Sequence, residues 1–356
     1  MAVRSLHVIT STARRGAETF ATDLVKELNL GAHEARVVAL HLSPSEQTHD
    51  VPVLGASRRS PSMLAELRRV AKQADIVVAH GSSTLEACVL GLAGSGVPFI
   101  YRTIGDPSYW VGSGSRRHRV GLMLRRAAAN VVLWRGAADQ LAVSYRIPRD
   151  RITVIPNAVP DSRFPVPSAA QRLEAREHYG VTKSTPCVCY VGALSSEKDV
   201  AAVILAVAEI DGAVGLIAGD GSHREKLQRH ADKLSPGKVR LLGAVAEPQD
   251  VYAAADLLLL PSLSEGMPAV LIEAGLMGTA TVASAVGAIP EMIDDGVTGF
   301  LTGPGDHAEF IRTVADALPF AAEVGARAAM VFRDRYSMAQ IAGAWDELLT
   351  MVVAET

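Results

Sequence analysis

The sequence is poor in cysteine and in aromatic residues. Its 356 residues include three cysteines, and aromatic side chains make up 5% of the chain. The cysteine count is odd and no two cysteines have the spacing of metal ligands, which argues against a disulfide framework and a cysteine-rich metal site. Cys187 and Cys189 alternate within an apolar run, a pattern typical of a buried strand. The low aromatic share predicts a core of Ala, Val, Leu and Ile.

The sequence also shows no pattern typical of a targeting segment or of a membrane-spanning helix. Residues 1–10 enter a strand-like run at once, without the charged region and apolar stretch of a secretory signal. The longest uncharged stretch, residues 274–290, is interrupted by Gly, Ser and Thr, and no apolar run reaches the ~18 residues of a spanning helix. We therefore expect a cytoplasmic protein.

The net charge of −3 is unevenly distributed. Residues 1–180 hold 23 Lys and Arg against 15 Asp and Glu, a net charge of +8, whereas the remainder holds 12 against 23, a net charge of −11. A basic half joined to an acidic half suggests two domains with different partners. Because the overall charge is negative and aromatic residues do not interleave with the basic ones, we expect no nucleic-acid partner.

Short β-rich runs alternate with longer helical periods in both halves of the chain. The apolar runs lack alternation, which is typical of parallel strands covered on both faces. Such runs occur at residues 6–10, 34–40, 75–79, 97–102 and 130–134, and again at residues 187–191, 213–218, 239–242, 256–260 and 281–283. The pattern predicts an α/β protein with two doubly wound, Rossmann-like domains facing a cleft.

A Pro-rich passage at residues 156–167 separates the two runs of strands. We place an N-terminal domain at residues 1–165 and a second domain at residues 184–336. We expect a C-terminal helix at about residues 337–356 to pack back on the first domain.

The most informative stretch is DLLLLPSLSEGMPAVLIEA, which begins at Asp256. A strand leads into a loop, and Pro268 is placed as the first residue of a helix. Free amides and the positive end of the helix dipole make such a position an anion site, and Gly266 allows close approach of a ligand.

Two carboxylates, Glu265 and Glu273, flank this predicted anion site. Their positions suit recognition of hydroxyl groups on either side of a phosphate. The spacing alone leaves an alternative open, in which Glu265 is a loop charge near the helix dipole and Glu273 is a solvated helix position.

The stretch 256–306 is similar to the signature of the family-4 retaining glycosyltransferases, which have the GT-B fold. Further segments resemble motifs of this family in the same order: RRGAETFA (14–21), VIPNAV (154–159), VGALSSEKD (191–199) and IAGDGSHREKL (217–227). The resemblance spans nearly the whole chain, and its most specific part is the pair of glutamates eight positions apart. It implies a GT-B fold and a nucleoside-diphosphate sugar as donor.

The resemblance also implies roles for charged side chains. Glu273 is expected to bind the ribose hydroxyls and Glu265 the hydroxyls of the donor sugar. Lys198 is expected to neutralise the diphosphate, where negative charge develops as the nucleotide departs. Lys198, Glu265 and Asp106 are therefore the candidate catalytic residues, and Lys198, Glu265 and Glu273 are also donor-binding candidates.

Backbone groups complete the implied donor site. The positions concerned are Gly266 and Met267 at the sugar, Ala269 and Val270 at the diphosphate, Gly16 near the donor phosphates, and residues 243–245, including Val245, at the base. This scheme requires no metal and no cofactor, because the nucleotide sugar is a substrate.

The chain departs from the family pattern at two places. Ala193 stands where the family usually carries an arginine, so Arg14, Arg15 and Arg102 are candidates to replace that cation. The histidine that many members carry after the strand at residues 97–102 is absent. Asp106 either takes a polar role there or forms an Asp-Pro turn.

Two further features allow more than one interpretation. His80 follows a predicted strand and is either a residue of the cleft or a core histidine. The run Arg116–Arg126 predicts a helix with an apolar side and cationic ends, which suits contact with an anionic membrane surface. The alternative is a solvated helix of the first domain.

The resemblance implies a retaining, metal-independent glycosyltransferase that moves a sugar from a nucleotide sugar to an acceptor hydroxyl of a glycan, glycolipid or small molecule. UDP is the favoured donor nucleotide and GDP is possible within the family. The alternatives are a non-catalytic nucleotide-sugar-binding homologue and a nucleotide-sugar epimerase of the same fold. A dinucleotide oxidoreductase is disfavoured, because residues 11–18 lack Gly-x-Gly-x-x-Gly and VGSGS (111–115) lacks its strand-to-helix context. We expect a cytoplasmic location, with peripheral contact at the inner membrane face through Arg116–Arg126.

Overall fold

The computed structural model describes residues 2–14, 16–44, 48–57, 60–107 and 114–356. Arg15, one of the candidate replacement cations, lies outside the described residues, as does most of the run 111–115. The chain forms two compact units, Met1–Val159 with Met338–Thr356, and Pro160–Ser337. The division between them falls within the Pro-rich passage, and residues 166–183 belong to the second unit.

The first unit is built on a parallel sheet with the strand order β3-β2-β1-β4-β5-β6-β7 among the described residues. The chain order reverses between β1 and β4, as in a doubly wound sheet. The strands are β1 (Arg4–Ser11), β2 (Glu34–His41), β3 (Val53–Gly55), β4 (Ile76–His80), β5 (Phe99–Arg102), β6 (Ala129–Val132) and β7 (Ile152–Val154), and the helices are α1 (Gly16–Leu28), α2 (Pro61–Ala71), α3 (Ser82–Gly91), α4 (Gly114–Leu124) and α5 (Arg135–Ser144).

The second unit has a parallel sheet of the order β10-β9-β8-β11-β12-β13, which reverses between β8 and β11. Its strands are β8 (Cys187–Val191), β9 (Val214–Ala218), β10 (Val239–Gly243), β11 (Leu257–Leu260), β12 (Ala280–Ser284) and β13 (Phe300–Thr302). Its helices are α6 (Ala169–His178), α7 (Ala201–Glu209), α8 (Arg224–Leu234), α9 (Gln249–Ala254), α10 (Ala269–Leu276), α11 (Ile289–Met292), α12 (His307–Ala317) and α13 (Ala321–Tyr336). The prediction of two doubly wound parallel α/β domains is confirmed.

The last helix, α14 (Met338–Ala354), packs against α1 of the first unit. Trp345 is fully buried in the core of that unit. The His33 ring and the Asp346 carboxylate form a hydrogen bond that joins α14 to the residue before β2. None of the described helices is both long and apolar enough to span a bilayer.

Two stacked histidines lie beneath α14. His7 Nδ1 is 3.1 Å from His80 Nε2, and His7 Nε2 is 3.2 Å from Ser5 Oγ. The centroid of the His80 ring lies 6.2 Å from that of Trp345. Burial lowers the pKa of His7 to about 3 and lowers the pKa of His80 well below its usual value, and the charge of Arg102 acts in the same direction. His80 is therefore a core histidine, and both rings are neutral at pH 7.

This pair makes the first unit sensitive to acid. In the unfolded chain a histidine takes up a proton near pH 6.5, whereas folded His7 does so only near pH 3. The stabilisation is complete above pH 6.5 and is lost as the pH falls toward 3, and the loss at pH 5 is about 2 kcal/mol for His7 alone. Urea unfolding at pH 7.5 and pH 5 should show this fall, and the variant His7→Gln should show a smaller one. An unchanged pH dependence in His7→Gln would contradict this assignment.

Candidate functional site

The candidate site lies at the carboxyl ends of β8 and β11, where the strand order of the second sheet reverses. The segment after β8 runs through residues 192–199, and the segment after β11 runs through residues 261–268. β8 and β11 are hydrogen-bonded neighbours, so their carboxyl ends meet. Open α/β sheets bind ligands at this position.

Lys198 and Glu265 come together across these two segments. Lys198 Nζ donates a hydrogen bond of 2.8 Å to Glu265 Oε2, and Ser262 Oγ donates one of 2.7 Å to Oε1. The side chain of Glu265 is 8% exposed and that of Lys198 is 23% exposed. The amide of Leu263 also bonds to the carbonyl of Glu197, which ties the two segments together. Glu265 is therefore a buried, paired carboxylate and not a free loop charge.

The segment after β11 ends in the N-terminus of α10. α10 begins at Ala269, and Pro268 is its N-cap with a ψ of 120°. The prediction that Pro268 is the first helical residue is therefore wrong by one position, because Pro268 keeps an extended conformation. Pro268 has no capping side chain, so the amides of Ala269 and Val270 are left without a side-chain cap. This helix end suits a negatively charged group.

Glu273 lies in the second turn of α10 and faces α9. Tyr252 Oη donates a hydrogen bond of 2.7 Å to Glu273 Oε2, and Tyr252 itself is fully buried. Burial raises the pKa of Glu273, while the hydrogen bond from Tyr252 and the charge of Arg163 oppose this rise. Glu273 is therefore a partly buried carboxylate with a fixed partner, and its interpretation as a solvated helix position is wrong.

Glycines allow the segments around the site to approach one another closely. A Cβ on Gly219 would lie 1.8 Å from the carbonyl oxygen of Gly192, and a Cβ on Gly221 would lie 2.4 Å from that of Leu194. The Gly-Asp-Gly turn after β9 is therefore packed against the segment that carries Lys198. The amide of Leu194 also donates a hydrogen bond of 2.9 Å to the carbonyl of Asp220.

The remaining predicted residues are placed as follows. Gly266 and Met267 lie in the segment before α10, and Val245 follows β10 and is partly buried. Gly16 is the first residue of α1, and an added Cβ there would have open space around it. Asp106 is partly buried and follows β5. Gly16 and Asp106 belong to the first unit, and the other predicted site residues belong to the second.

The candidates for the missing cation differ in accessibility. Ala193 contributes its carbonyl oxygen to a hydrogen bond of 2.8 Å from Tyr190 Oη. Arg102 is fully buried, bonds to Asn157 and stacks over the Phe20 ring at 3.8 Å. Burial lowers its pKa to about 9. Arg102 does not face solvent, whereas Arg14 is exposed.

Sequence reasoning missed several partners of the site. Tyr252 and Ser262 hold the two glutamates, and neither carries a sequence signal beyond its helical or loop position. His307 Nε2 lies 2.7 Å from Oδ2 of Asp199, and Asp199 is the residue directly after Lys198. Asp199 has a φ of 45°, so the chain turns sharply directly after Lys198.

Two family models match the chain. Residues 14–163 match Glycosyltransferase Family 4, and residues 185–319 match Glycosyl transferases group 1. The chain belongs to glycosyltransferase family 4. Both matches follow the division of the chain, and each covers most of one unit.

Curated relatives of the chain match it over only part of their own length. The chain is 33% identical to D-inositol 3-phosphate glycosyltransferase of Mycolicibacterium smegmatis over 51% of this chain and 43% of that protein. It is 27% identical to alpha-D-kanosaminyltransferase of Streptomyces kanamyceticus over 70% of this chain and 66% of that protein. The chain thus spans less than two thirds of the length of these relatives.

Several solved structures share the fold of the chain. HepE of Anabaena, solved in complex with UDP, superposes with a TM-score of 0.86 at 20% identity, covering 98% of this chain and 100% of HepE. WaaG, a glycosyltransferase involved in lipopolysaccharide biosynthesis, gives a TM-score of 0.75 at 16% identity, covering 97% and 99%. The predicted GT-B fold is confirmed.

Proposed function

We propose that the protein transfers a sugar from a nucleoside-diphosphate sugar to an acceptor hydroxyl. The observation that carries this proposal is the juxtaposition of Lys198, Glu265 and the N-terminus of α10, with Glu273 one turn further along the same helix. A cation, free amides and two anchored carboxylates match the phosphates and hydroxyls of such a donor. Family membership supports the same activity.

Lys198 and α10 would stabilise the departing diphosphate. Lys198 has three N–H donors and uses one of them on Glu265, which leaves two for phosphate oxygens. The amides of Ala269 and Val270 point along the helix axis toward the same charge. Preorganised donors of this kind act most strongly on charge that develops in the transition state.

Glu265 and Glu273 would fix the two sugars of the donor. Both oxygens of Glu265 are held by Lys198 and Ser262, yet each keeps a lone pair that can accept a donor-sugar hydroxyl. The amides of Gly266 and Met267 would contact the same sugar. Glu273 would accept from the ribose, and the backbone around Val245 would meet the base.

We propose UDP as the donor nucleotide and GDP as the alternative. Structures of HepE exist with UDP and with UDP-glucose, and this relative has the same fold as the chain. Since the proposed contacts to the base come from the backbone, side chains give no further discrimination.

The proposed reaction retains the configuration of the sugar, as the resemblance to family 4 implies. The bond from the anomeric carbon to the diphosphate oxygen breaks, and a bond to the acceptor oxygen forms on the same face. The departing phosphate oxygen takes the proton of the acceptor hydroxyl, so no protein base is assigned. We propose that Lys198 and the α10 amides replace a metal ion in neutralising the diphosphate, and Asp106 remains a candidate polar contact.

We also propose that α4 brings the enzyme to an anionic membrane surface at the cytoplasmic face. Arg116, Arg117, Arg119 and Leu122 are all exposed on this helix. Exposed arginines beside an apolar side chain suit a lipid headgroup region. In a sedimentation assay, a larger fraction of the protein should bind to phosphatidylglycerol vesicles than to phosphatidylcholine vesicles. Equal partition between the two lipids would refute the membrane proposal.

Thermal unfolding with separate nucleotides tests the proposed function. With EDTA present, UDP at 100 times its dissociation constant should add about 2.7 kcal/mol and raise the midpoint by several degrees. ADP and NAD serve as controls, and GDP tests the alternative base. No shift with UDP or GDP, or a shift with NAD alone, would reject the proposed donor site.

A non-catalytic binding protein is the second candidate function, because Ala193 removes one expected cation. A nucleotide-dependent shift without hydrolysis or transfer of any UDP-sugar would favour this candidate. Release of UDP from one sugar donor would reject it.

A further inference from the structure

Tyr252 stands behind Glu273 in a fixed position. Its side chain is fully buried in α9, and its ring centroid lies 6.5 Å from that of Phe164 in an edge-on arrangement. Its own carbonyl accepts a hydrogen bond of 3.1 Å from Thr279 Oγ1. These contacts hold the phenol in one orientation, and its hydroxyl reaches Glu273 Oε2 at 2.7 Å.

We propose that Tyr252 is a positioning residue for the donor, which orients the Glu273 carboxylate and keeps it available to the ribose hydroxyls. This inference rests on the proposed function, in which Glu273 contacts the ribose. Tyr252 is fully buried and acts through Glu273 without touching the ligand.

The direction of the hydrogen bond supports this role. Burial raises the pKa of Tyr252 well above its usual range, so the phenol stays protonated and donates. A phenol has one proton to donate, and it is used on Oε2, which leaves Oε1 of a partly exposed side chain for a ligand.

The same hydrogen bond favours the ionised form of Glu273. Burial favours the protonated carboxyl group, whereas the donor from Tyr252 and the charge of Arg163 favour the ionised one. A protonated Glu273 would carry a proton on one carboxyl oxygen, and it would be a weaker acceptor for hydroxyl groups. Without Tyr252, both the orientation and the charge of this carboxylate would be less well defined.

The experiment measures UDP affinity by calorimetry in the wild type, Tyr252→Phe, Glu273→Ala and the double variant. We expect Tyr252→Phe to weaken UDP binding about tenfold, since hydrogen bonds to charged groups are the strong ones. The loss should vanish against an analogue of UDP that lacks both ribose hydroxyls. It should also vanish when Tyr252→Phe is added to Glu273→Ala, in which the partner of the phenol is absent. Tyr336→Phe, which removes the hydroxyl of another buried tyrosine in the same unit, should leave UDP affinity unchanged.

The outcomes separate this inference from the proposed function. If the wild type binds UDP and Tyr252→Phe binds it equally well, the inference is overturned and the proposed function stands. If the loss persists with the dideoxy analogue or in the Glu273→Ala background, Tyr252 has a merely structural role and the inference is again overturned. If the wild type binds neither UDP nor GDP, the proposed function fails and the inference falls with it.

Discussion

Replacing Lys198 by alanine is expected to lower turnover at least tenfold, with a smaller effect on donor affinity. Lys198 is the cation that the structure places beside Glu265 at the N-terminus of α10. In the proposed donor complex Lys198 faces a diphosphate that the helix amides already partly neutralise. During departure of the nucleotide the charge on the leaving oxygen grows, and the interaction with Lys198 strengthens. The effect should therefore appear mainly in kcat.

Steady-state release of UDP from the best UDP-sugar would measure this effect. Lys198→Arg keeps the positive charge and should restore part of kcat, although its planar group fits a single phosphate oxygen differently. Lys226→Ala is a matched control, because Lys226 is an exposed lysine of α8 in the same unit. Normal turnover in Lys198→Ala would show that another cation holds the diphosphate, with exposed Arg14 the first to test.

Removal of Lys198 also leaves Glu265 with a single side-chain partner. The Glu265 side chain is 8% exposed, so an unpaired charge there is costly. Lys198→Ala should therefore be compared with the variant Lys198→Ala/Glu265→Gln, in which the buried charge is removed as well. A higher kcat in the double variant than in Lys198→Ala would show that the unpaired Glu265 charge, and not the missing cation alone, lowers turnover.

Sequence patterns predicted the central strands better than the edges of the sheets. β8 and β11 are apolar runs of four or five residues whose side chains are almost all buried, and such runs stand out in a sequence. β3, β7 and β13 have three residues each and are partly exposed. Apolar runs of three residues also occur in loops, so none of the three strands was predicted.

The charged residues of the candidate site could be predicted from the sequence, but their hydrogen-bond partners could not. Lys198 and Glu265 are 67 positions apart, and the resemblance singled out both because each lies in a recognisable motif. The hydroxyls of Tyr252 and Ser262 reach their glutamates only because α9 and the β11 loop pack where they do. Hydroxyl side chains are common along the chain, so the choice of partner is a property of tertiary packing.

Gly287→Ala is the second substitution for which we expect a large loss of activity. Gly287 follows β12 with a φ of 57°, and a Cβ there would lie 2.1 Å from the carbonyl oxygen of Glu265 and 2.8 Å from that of Gly266. The amide of Ala288 also bonds to the Gly266 carbonyl at 2.9 Å. Gly287→Ala must therefore push the Glu265–Gly266 backbone away from its position. A displacement of about 1 Å at a reacting site can cost about 100-fold in rate, so we expect kcat/KM to fall by this order.

Gly296→Ala is the matched control for this substitution. Gly296 lies in the same unit with a φ of 71°, but a Cβ there would meet no atom within 4 Å. Both variants carry the cost of an L-residue in the left-handed region, about 1–2 kcal/mol. The displacement of the Glu265 segment is specific to Gly287→Ala. Both variants should therefore lower the unfolding temperature, and Gly287→Ala should lower it further because of its added backbone clash, whereas UDP affinity and kcat/KM should fall only in Gly287→Ala. Equal activity in the two variants would mean that the segment after β11 tolerates the shift, and the proposed role of the Gly266 and Met267 amides in holding the donor sugar would be rejected.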